Sequence, residues 1–131
     1  MTTEFPAKIC LYAKVTPEPS FEYQVPLKNK LLAQLPGFYW YDFDNFSEGM
    51  IIDYVVQMVQ QAQSIVVVFQ ASSDSNLGGL LKLIPHLHRQ KQKIKAIFLG
   101  EHAQLQKVLK PLNQCCINPS EGEIQAFIAD E

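Results

Sequence analysis

Residues 38–46 combine aromatic rings and carboxylates in one short segment. They are FYWYDFDNF, in a chain with only five Tyr, eight Phe and one Trp. Aromatic rings stack on bases or anchor protein contacts, and carboxylates accept hydrogen bonds from a ligand or a partner. We therefore expect a contact with another chain or with a base here, and the candidate interaction residues are Phe43, Asp44 and Phe46.

A second group of polar residues follows the segments predicted to be strands. The candidate ligand-binding residues are Lys14, Asp42, Ser72, Ser73, Asp74 and His102. Serine hydroxyls and backbone N–H groups ahead of a helix can hold a phosphate or a ribose. The alternative is that Asp74 or Ser75 caps the next helix and that His102 starts the helix after it.

These residues are positioned by a strict alternation of strand-like and helix-like periodicity. Short apolar runs predict strands at Lys8–Val15, Gly37–Phe43, Ser64–Phe69, Ile94–Gly100 and Cys115–Ile117. Helical spacing follows each of them: after Phe21, with Pro26 in the first turn, then after Asn45, Leu77, Leu105 and Asn118. Asn45 with Glu48, and Asn118 with Glu121, have the spacing of helix caps.

The alternation predicts one α/β domain over residues 1–131, with three layers and a five-stranded parallel sheet. We expect the flavodoxin-like order 2-1-3-4-5, because the third strand, SIVVVF, is continuously apolar as a central strand should be. Ligands of such folds bind at the carboxyl ends of the strands. The second strand would lie at the edge, with Phe38–Tyr41 in the core and Asp42–Phe46 in an exposed loop.

Several kinds of site do not fit the residues at these strand ends. Thr16–Ser20 contains two prolines and no glycine, so it lacks the N–H groups of a flavin phosphate loop. A phosphoacceptor receiver would need an Asp where the third strand ends at Gln70. No GxGxxG or GxxxxGK[ST] motif occurs. His86 and His88 are two residues apart on a helix and point to different sides, so no metal site is predicted.

Composition narrows the class of protein further. The formal net charge of −2 gives no general attraction to nucleic acid or to an anionic membrane. Cys10, Cys115 and Cys116 are a poor disulfide framework, which predicts reduced thiols and a cytoplasmic protein. No signal peptide or membrane span is predicted. The basic residues of segment 82–95 favour solvated positions near a helix end over a polyanion site.

Residues 41–73 share an order of features with a known family. An acidic turn precedes a glycine, a helix and an apolar central strand with a serine-rich loop, and Gly49, Ile52 and Ser64 stand where a loose family pattern, G-x-x-I…I-x-x-S, would put them. In these features the chain resembles a TIR domain. Nucleoside 2-deoxyribosyltransferase-like domains share these features. The resemblance implies a flavodoxin-like fold and a loop after the second strand that mediates assembly.

The resemblance also implies which function to expect. Catalytic members of both groups place a glutamate on the helix after the third strand, whereas Leu77–Gln90 contains no Asp or Glu. The first hypothesis is therefore a non-catalytic signalling or interaction module, with a protein partner or a second copy of the chain and no assigned catalytic residue or cofactor. The alternatives are an enzyme that binds NAD, a nucleotide or a nucleoside, and a small-molecule sensor with the same strand-end pocket.

Overall fold

The computed structural model describes residues 6–17, 25–72, 75–112 and 114–129. The predicted candidates Ser73 and Asp74 lie outside the described residues, as does the last part of the predicted loop after the first strand.

Five parallel strands form one sheet in the order β2-β1-β3-β4-β5. The strands are β1 (Lys8–Val15), β2 (Tyr39–Asp44), β3 (Ser64–Ala71), β4 (Ile94–Gly100) and β5 (Cys115–Ile117). The predicted class, parallel sheet and strand order are confirmed, and the fold is flavodoxin-like. The residues of β3 from Ile65 to Phe69 are all buried, because strands lie on both sides of β3 and helices cover both of its faces.

In the described ranges, five α-helices pack on the two faces of the sheet. They are α1 (Val25–Gln34), α2 (Gly49–Gln61), α3 (Leu80–Arg89), α4 (Ala103–Leu109) and α5 (Glu121–Ala129). Buried residues of α2, α3 and α4 join one core cluster with Leu11, Val67 and Phe98. Leu31 of α1 and Ile124 of α5 join a second cluster with Tyr12 on the opposite face. This division of the helices follows from the right-handed crossovers of a parallel sheet.

The aromatic strand is less buried than expected at its start and more buried at its end. Phe38 and Trp40 are half-buried against the α1/α5 face, whereas the Tyr39 side chain is 45% exposed. Phe43 is only 6% exposed and belongs to the core of the α2/α3/α4 face. The expectation that residues 38–41 serve the core and residues 42–46 form an exposed loop is therefore wrong for Tyr39, Phe43 and Asn45.

Candidate functional site at the carboxyl edge of the sheet

Polar side chains of three neighbouring strands meet at the carboxyl edge on the α1/α5 face. Lys14 is in register with Asp44 of β2 and with Gln70 of β3. Tyr12 and Asp42 are paired one row earlier on the same face. Since residues paired in a parallel sheet point to the same side, this edge brings together an ammonium, two carboxylates, an amide and a phenol.

Tyr12 and Trp40 fix part of this edge. Their rings stack with centroids 5.5 Å apart. The Trp40 Nε1–H donates to Asp42 Oδ2 at 3.2 Å, and the Tyr12 hydroxyl donates to Gln70 Oε1. Burial, and secondarily the Asp42 carboxylate, raise the pKa of Tyr12 to about 12, so the phenol is a neutral donor at physiological pH.

Asn45 connects three loops at the edge and does not cap α2. Its backbone N–H donates to Lys14 O at 3.1 Å, as the next residue of a parallel ladder would. Its side-chain Oδ1 then accepts from Thr16 N at 3.2 Å, and Nδ2 donates to Thr16 O at 2.9 Å and to Asn76 O at 2.5 Å. The Asn45 side chain thus makes the hydrogen bonds to the β1 side that the next backbone residue of β2 would make if the strand continued. The prediction that Asn45 caps α2 is wrong.

The turn after β2 is closed by Asp44 and Ser47. Asp44 Oδ1 accepts from Phe46 N at 2.8 Å and from Ser47 Oγ at 3.2 Å, and the Asp44 N–H donates to Ser47 Oγ at 3.0 Å. These bonds hold the Phe46 ring where it is 45% exposed. Of the three predicted interaction residues, Phe46 is therefore accessible, Asp44 is half-buried within the turn, and Phe43 is in the core.

His102 binds two neighbouring segments of the fold. The ring is 7% exposed; Nδ1 accepts from Leu105 N at 3.2 Å as the cap of α4, and Nε2 contacts Ser75 O at 2.7 Å. Because Nδ1 accepts, the hydrogen belongs on Nε2, which donates to Ser75 O. The side chain thus caps α4, in agreement with the alternative expectation that His102 starts the next helix.

A close backbone contact joins the start of α3 to the turn after β2 at this edge. Gly78 has φ +54°, and a Cβ there would lie 2.2 Å from the Asn45 carbonyl oxygen. Only glycine permits that approach of the α3 start to the turn after β2.

A second asparagine repeats the Asn45 arrangement at the far edge of the sheet. The Asn118 N–H donates to Phe98 O at 2.7 Å, while its side chain accepts from Gly100 N at 2.8 Å and donates to Gly100 O at 3.0 Å. The predicted cap role of Asn118 is therefore also wrong. Ser120 and Glu123 form the capping box of α5 instead: Ser120 Oγ accepts from Glu123 N, and Glu123 Oε1 accepts from Ser120 N, each at 3.2 Å.

The structure therefore brings Lys14 and Asp42 to one edge and face, together with Tyr12 and Gln70, which the sequence reasoning missed. Ser72 is exposed, and its backbone N–H donates to Val15 O at 2.9 Å. Asn45 was also missed as a site residue. The signal that could have found it is its position directly after an edge strand, one residue beyond the last pair of the ladder, Lys14 with Asp44.

Three further observations bear on the kind of site that this protein can hold. The Ser75 hydroxyl is buried and has no hydrogen-bond partner among the described residues. Within the described ranges, no three His, Cys, Asp or Glu side chains are grouped so that they could hold a metal ion. None of the helices described is long and apolar enough to cross a membrane.

Comparisons with known proteins did not find a match. Family models, curated proteins and solved structures each gave no match to this chain. The fold is thus assigned from its own sheet order and register as flavodoxin-like, and the TIR-like resemblance stays a prediction.

Proposed function

We propose that this chain is a protein-interaction module that associates with a second copy of itself through the edge of β2 and the adjoining side of α2. The observation that carries the proposal is a group of exposed apolar residues, together with the half-buried Tyr41 ring, along an open strand edge. We call it the aromatic edge surface, and it consists of Tyr39, Tyr41, Phe46, Met50 and Tyr54.

The outer edge of β2 has the backbone groups needed for such a contact. β2 pairs with β1 from Tyr39 to Asp44, and no other described strand pairs with it. An edge strand presents unpaired N–H and C=O groups that can pair with another chain. Added main-chain hydrogen bonds would extend the sheet across two copies.

The side chains beside this edge are of the types found in interfaces. Met50 is 79% exposed, Tyr39 45% and Tyr54 38%. The rings of Tyr41 and Tyr54 lie 5.5 Å apart, so strand and helix contribute to one continuous surface. Tyrosine and methionine are enriched in protein interfaces because they give large contact area.

Charge disfavours some registers for the pairing of two β2 strands. In an antiparallel pair around a twofold axis, a residue at the axis stands opposite its own copy. An axis at Asp42 would oppose two carboxylates, which is unfavourable. An axis at Tyr41 instead places the two Tyr41 rings together and Trp40 of each copy opposite Asp42 of the other. We therefore favour the register centred on Tyr41.

The test is the mass of the protein in solution as a function of concentration. Sedimentation velocity of the full chain should show a monomer–dimer equilibrium. Met50→Glu should weaken it by about tenfold or more, since it buries a charge in the contact. Leu81→Glu is the matched control, because Leu81 is an exposed apolar residue of α3, 51% exposed, outside the aromatic edge surface.

Cross-linking tests the register separately. Tyr41→Cys should form a disulfide-linked dimer under mild oxidation, whereas Tyr39→Cys and the native chain, with its own Cys10, Cys115 and Cys116, should not. A chain that stays monomeric at all concentrations, or that responds equally to Met50→Glu and Leu81→Glu, contradicts the proposal.

A second candidate function is the binding of a nucleotide or nucleoside such as NAD at the carboxyl edge. The buried Ser75 hydroxyl has no partner in the part of the chain that the structure describes, and this favours the candidate, because buried polar groups ordinarily have a hydrogen-bond partner. Thermal unfolding with NAD, AMP and adenosine tests this candidate. A rise in the unfolding temperature that Ser75→Ala removes would support it, and the absence of any rise would contradict it.

A further inference from the structure

A cleft of about 460 Å³ lies at the opposite end of the sheet, where the strands begin. We call it the amino-edge cleft. Its volume is within the range of small-molecule sites in proteins. The residues that matter for its chemistry are Lys8, Lys93 and Lys95, with Leu35, Phe38 and Val66 as apolar walls.

The strand register explains why these residues converge. Lys8 is paired with Ser64, and Val66 is paired with Lys95 one row further on. These residues share the α1/α5 face because paired residues of a parallel sheet point the same way. The Lys8 ammonium lies 5.9 Å from the centre of the Phe38 ring, so a cation and an aromatic wall are adjacent at the entrance.

The charge lining the cleft is of one sign. Its described lining has three lysines and no Asp or Glu, although the chain has 13 acidic and only 11 basic residues. Four glutamines, at positions 34, 63, 92 and 114, add neutral donors and acceptors. Such a lining attracts anions and has no carboxylate to repel them.

Two of the lysines also donate hydrogen bonds to carbonyl groups at the ends of helices. Lys93 Nζ donates to Ala62 O at 2.5 Å, just after α2, and Lys95 Nζ donates to Phe127 O at 2.9 Å near the end of α5. Segment 82–95 was expected to hold its cations at solvated positions near a helix end, whereas Lys93 and Lys95 are half-buried and bond to the ends of two other helices. Burial lowers the pKa of Lys93, so a nearby anion would stabilise its charged form.

Lys8 is the cation of the cleft that an incoming anion can reach. Its side chain is exposed, whereas Lys93 and Lys95 are half-buried and donate to carbonyls at helix ends. One accessible ammonium group suits a single anionic group better than a polyphosphate.

We propose that the amino-edge cleft binds a small organic monocarboxylate with an apolar body. The carboxylate lies by Lys8, whose side chain is exposed, and the apolar body lies on the half-buried Phe38 and Ile128 side chains, above the buried Leu35 and Val66. This site is independent of the proposed self-association, because the two involve different side chains.

Octanoate is the probe that tests the proposal, with binding followed by calorimetry and by amide chemical shifts of the full chain. Octanol has a similar body without the charge, and acetate has the charge without the body. Both should bind about tenfold more weakly than octanoate. Lys8→Gln should weaken octanoate binding about fivefold or more, and Lys8→Arg should retain it.

Lys91→Gln is the matched control, because Lys91 is an exposed lysine that does not line the cleft. It should leave the octanoate affinity unchanged. The proposal is overturned if octanoate does not bind up to about 5 mM, if octanol binds as tightly, or if Lys8→Gln and Lys91→Gln have the same effect. Circular dichroism checks that each variant is folded.

Discussion

Replacing Asn45 by alanine removes the side chain that joins three loops at the carboxyl edge. The substitution deletes three hydrogen bonds, two to the backbone of Thr16 and one to Asn76 O. Each neutral bond contributes about 0.5–1.5 kcal/mol net, so the expected loss in the free energy of unfolding is about 3 kcal/mol. The loss should reach this size because Asn45 is 6% exposed, and water cannot readily replace the lost partners.

Asn118 provides the comparison, because its side chain makes the same ladder-like bonds to Gly100 but is exposed to solvent. Its φ of 47° lies in the left-handed region, so glycine is the suitable replacement, since it removes the bonds without adding backbone strain. Asn118→Gly should cost about 1 kcal/mol, because water takes over both bonds.

Urea unfolding followed by circular dichroism measures both losses, provided that the slope with urea concentration is unchanged. Asn45→Asp is a third variant of nearly the same shape. It keeps the acceptor for Thr16 N but places a carboxylate against two carbonyl oxygens, so at neutral pH it should be at least as destabilising as Asn45→Ala. If Asn45→Ala costs no more than Asn118→Gly, the reasoning from burial is refuted.

Two further predictions concern alkaline pH and a close backbone contact. Burial raises the pKa of Cys10 to about 12, and burial with Asp42 raises that of Tyr12 to about 12. Both groups ionise more readily in the unfolded chain. Urea titrations should therefore give a constant unfolding free energy up to about pH 9 and a decrease between about pH 9 and 12. Cys10→Ala should make this decrease shallower, and a decrease of equal slope would contradict the prediction. Gly78→Ala should cost more than about 2 kcal/mol in the same titrations, because it adds a Cβ 2.2 Å from a carbonyl oxygen at positive φ. Gly37→Ala, at φ +83° in open space, should cost only about 1 kcal/mol, and similar losses for the two would contradict the steric reason.

The sheet could be predicted from the sequence because its signal is local and strong. The bounds of β1, β4 and β5 are those expected from their apolar runs, and the continuous run of β3 predicted its central place. Strands buried on both faces leave such unbroken runs. Because each predicted strand is followed by a segment with helical spacing, few topologies of the sheet remained possible.

The roles of Asn45 and Asn118 could not be predicted in the same way. Each stands three residues before a glutamate, which is the local spacing of a cap. Their side chains instead bond to Thr16 and Gly100, which are far away in the chain and adjacent only after the strands have paired. A local pattern therefore could not distinguish the two outcomes.

The burial of β2 depended on tertiary packing for a related reason. Tyr39 and Phe43 point to the same side of the strand, yet one is 45% and the other 6% exposed. The helices cover only part of an edge strand, and which part they cover depends on where α2 starts. The sequence alone therefore could not show which residues of segment 38–46 would be buried and which would be exposed.

The stacking of Trp40 on Tyr12 gives the protein a built-in optical reporter. Trp40 is the only tryptophan of the chain, it is half-buried on the edge strand, and its indole N–H is bonded to Asp42. Its fluorescence therefore arises from a single place, the junction of β2 with β1. Emission that shifts to longer wavelength before the helical signal is lost would reveal that this strand detaches ahead of the rest, a local opening visible without any label.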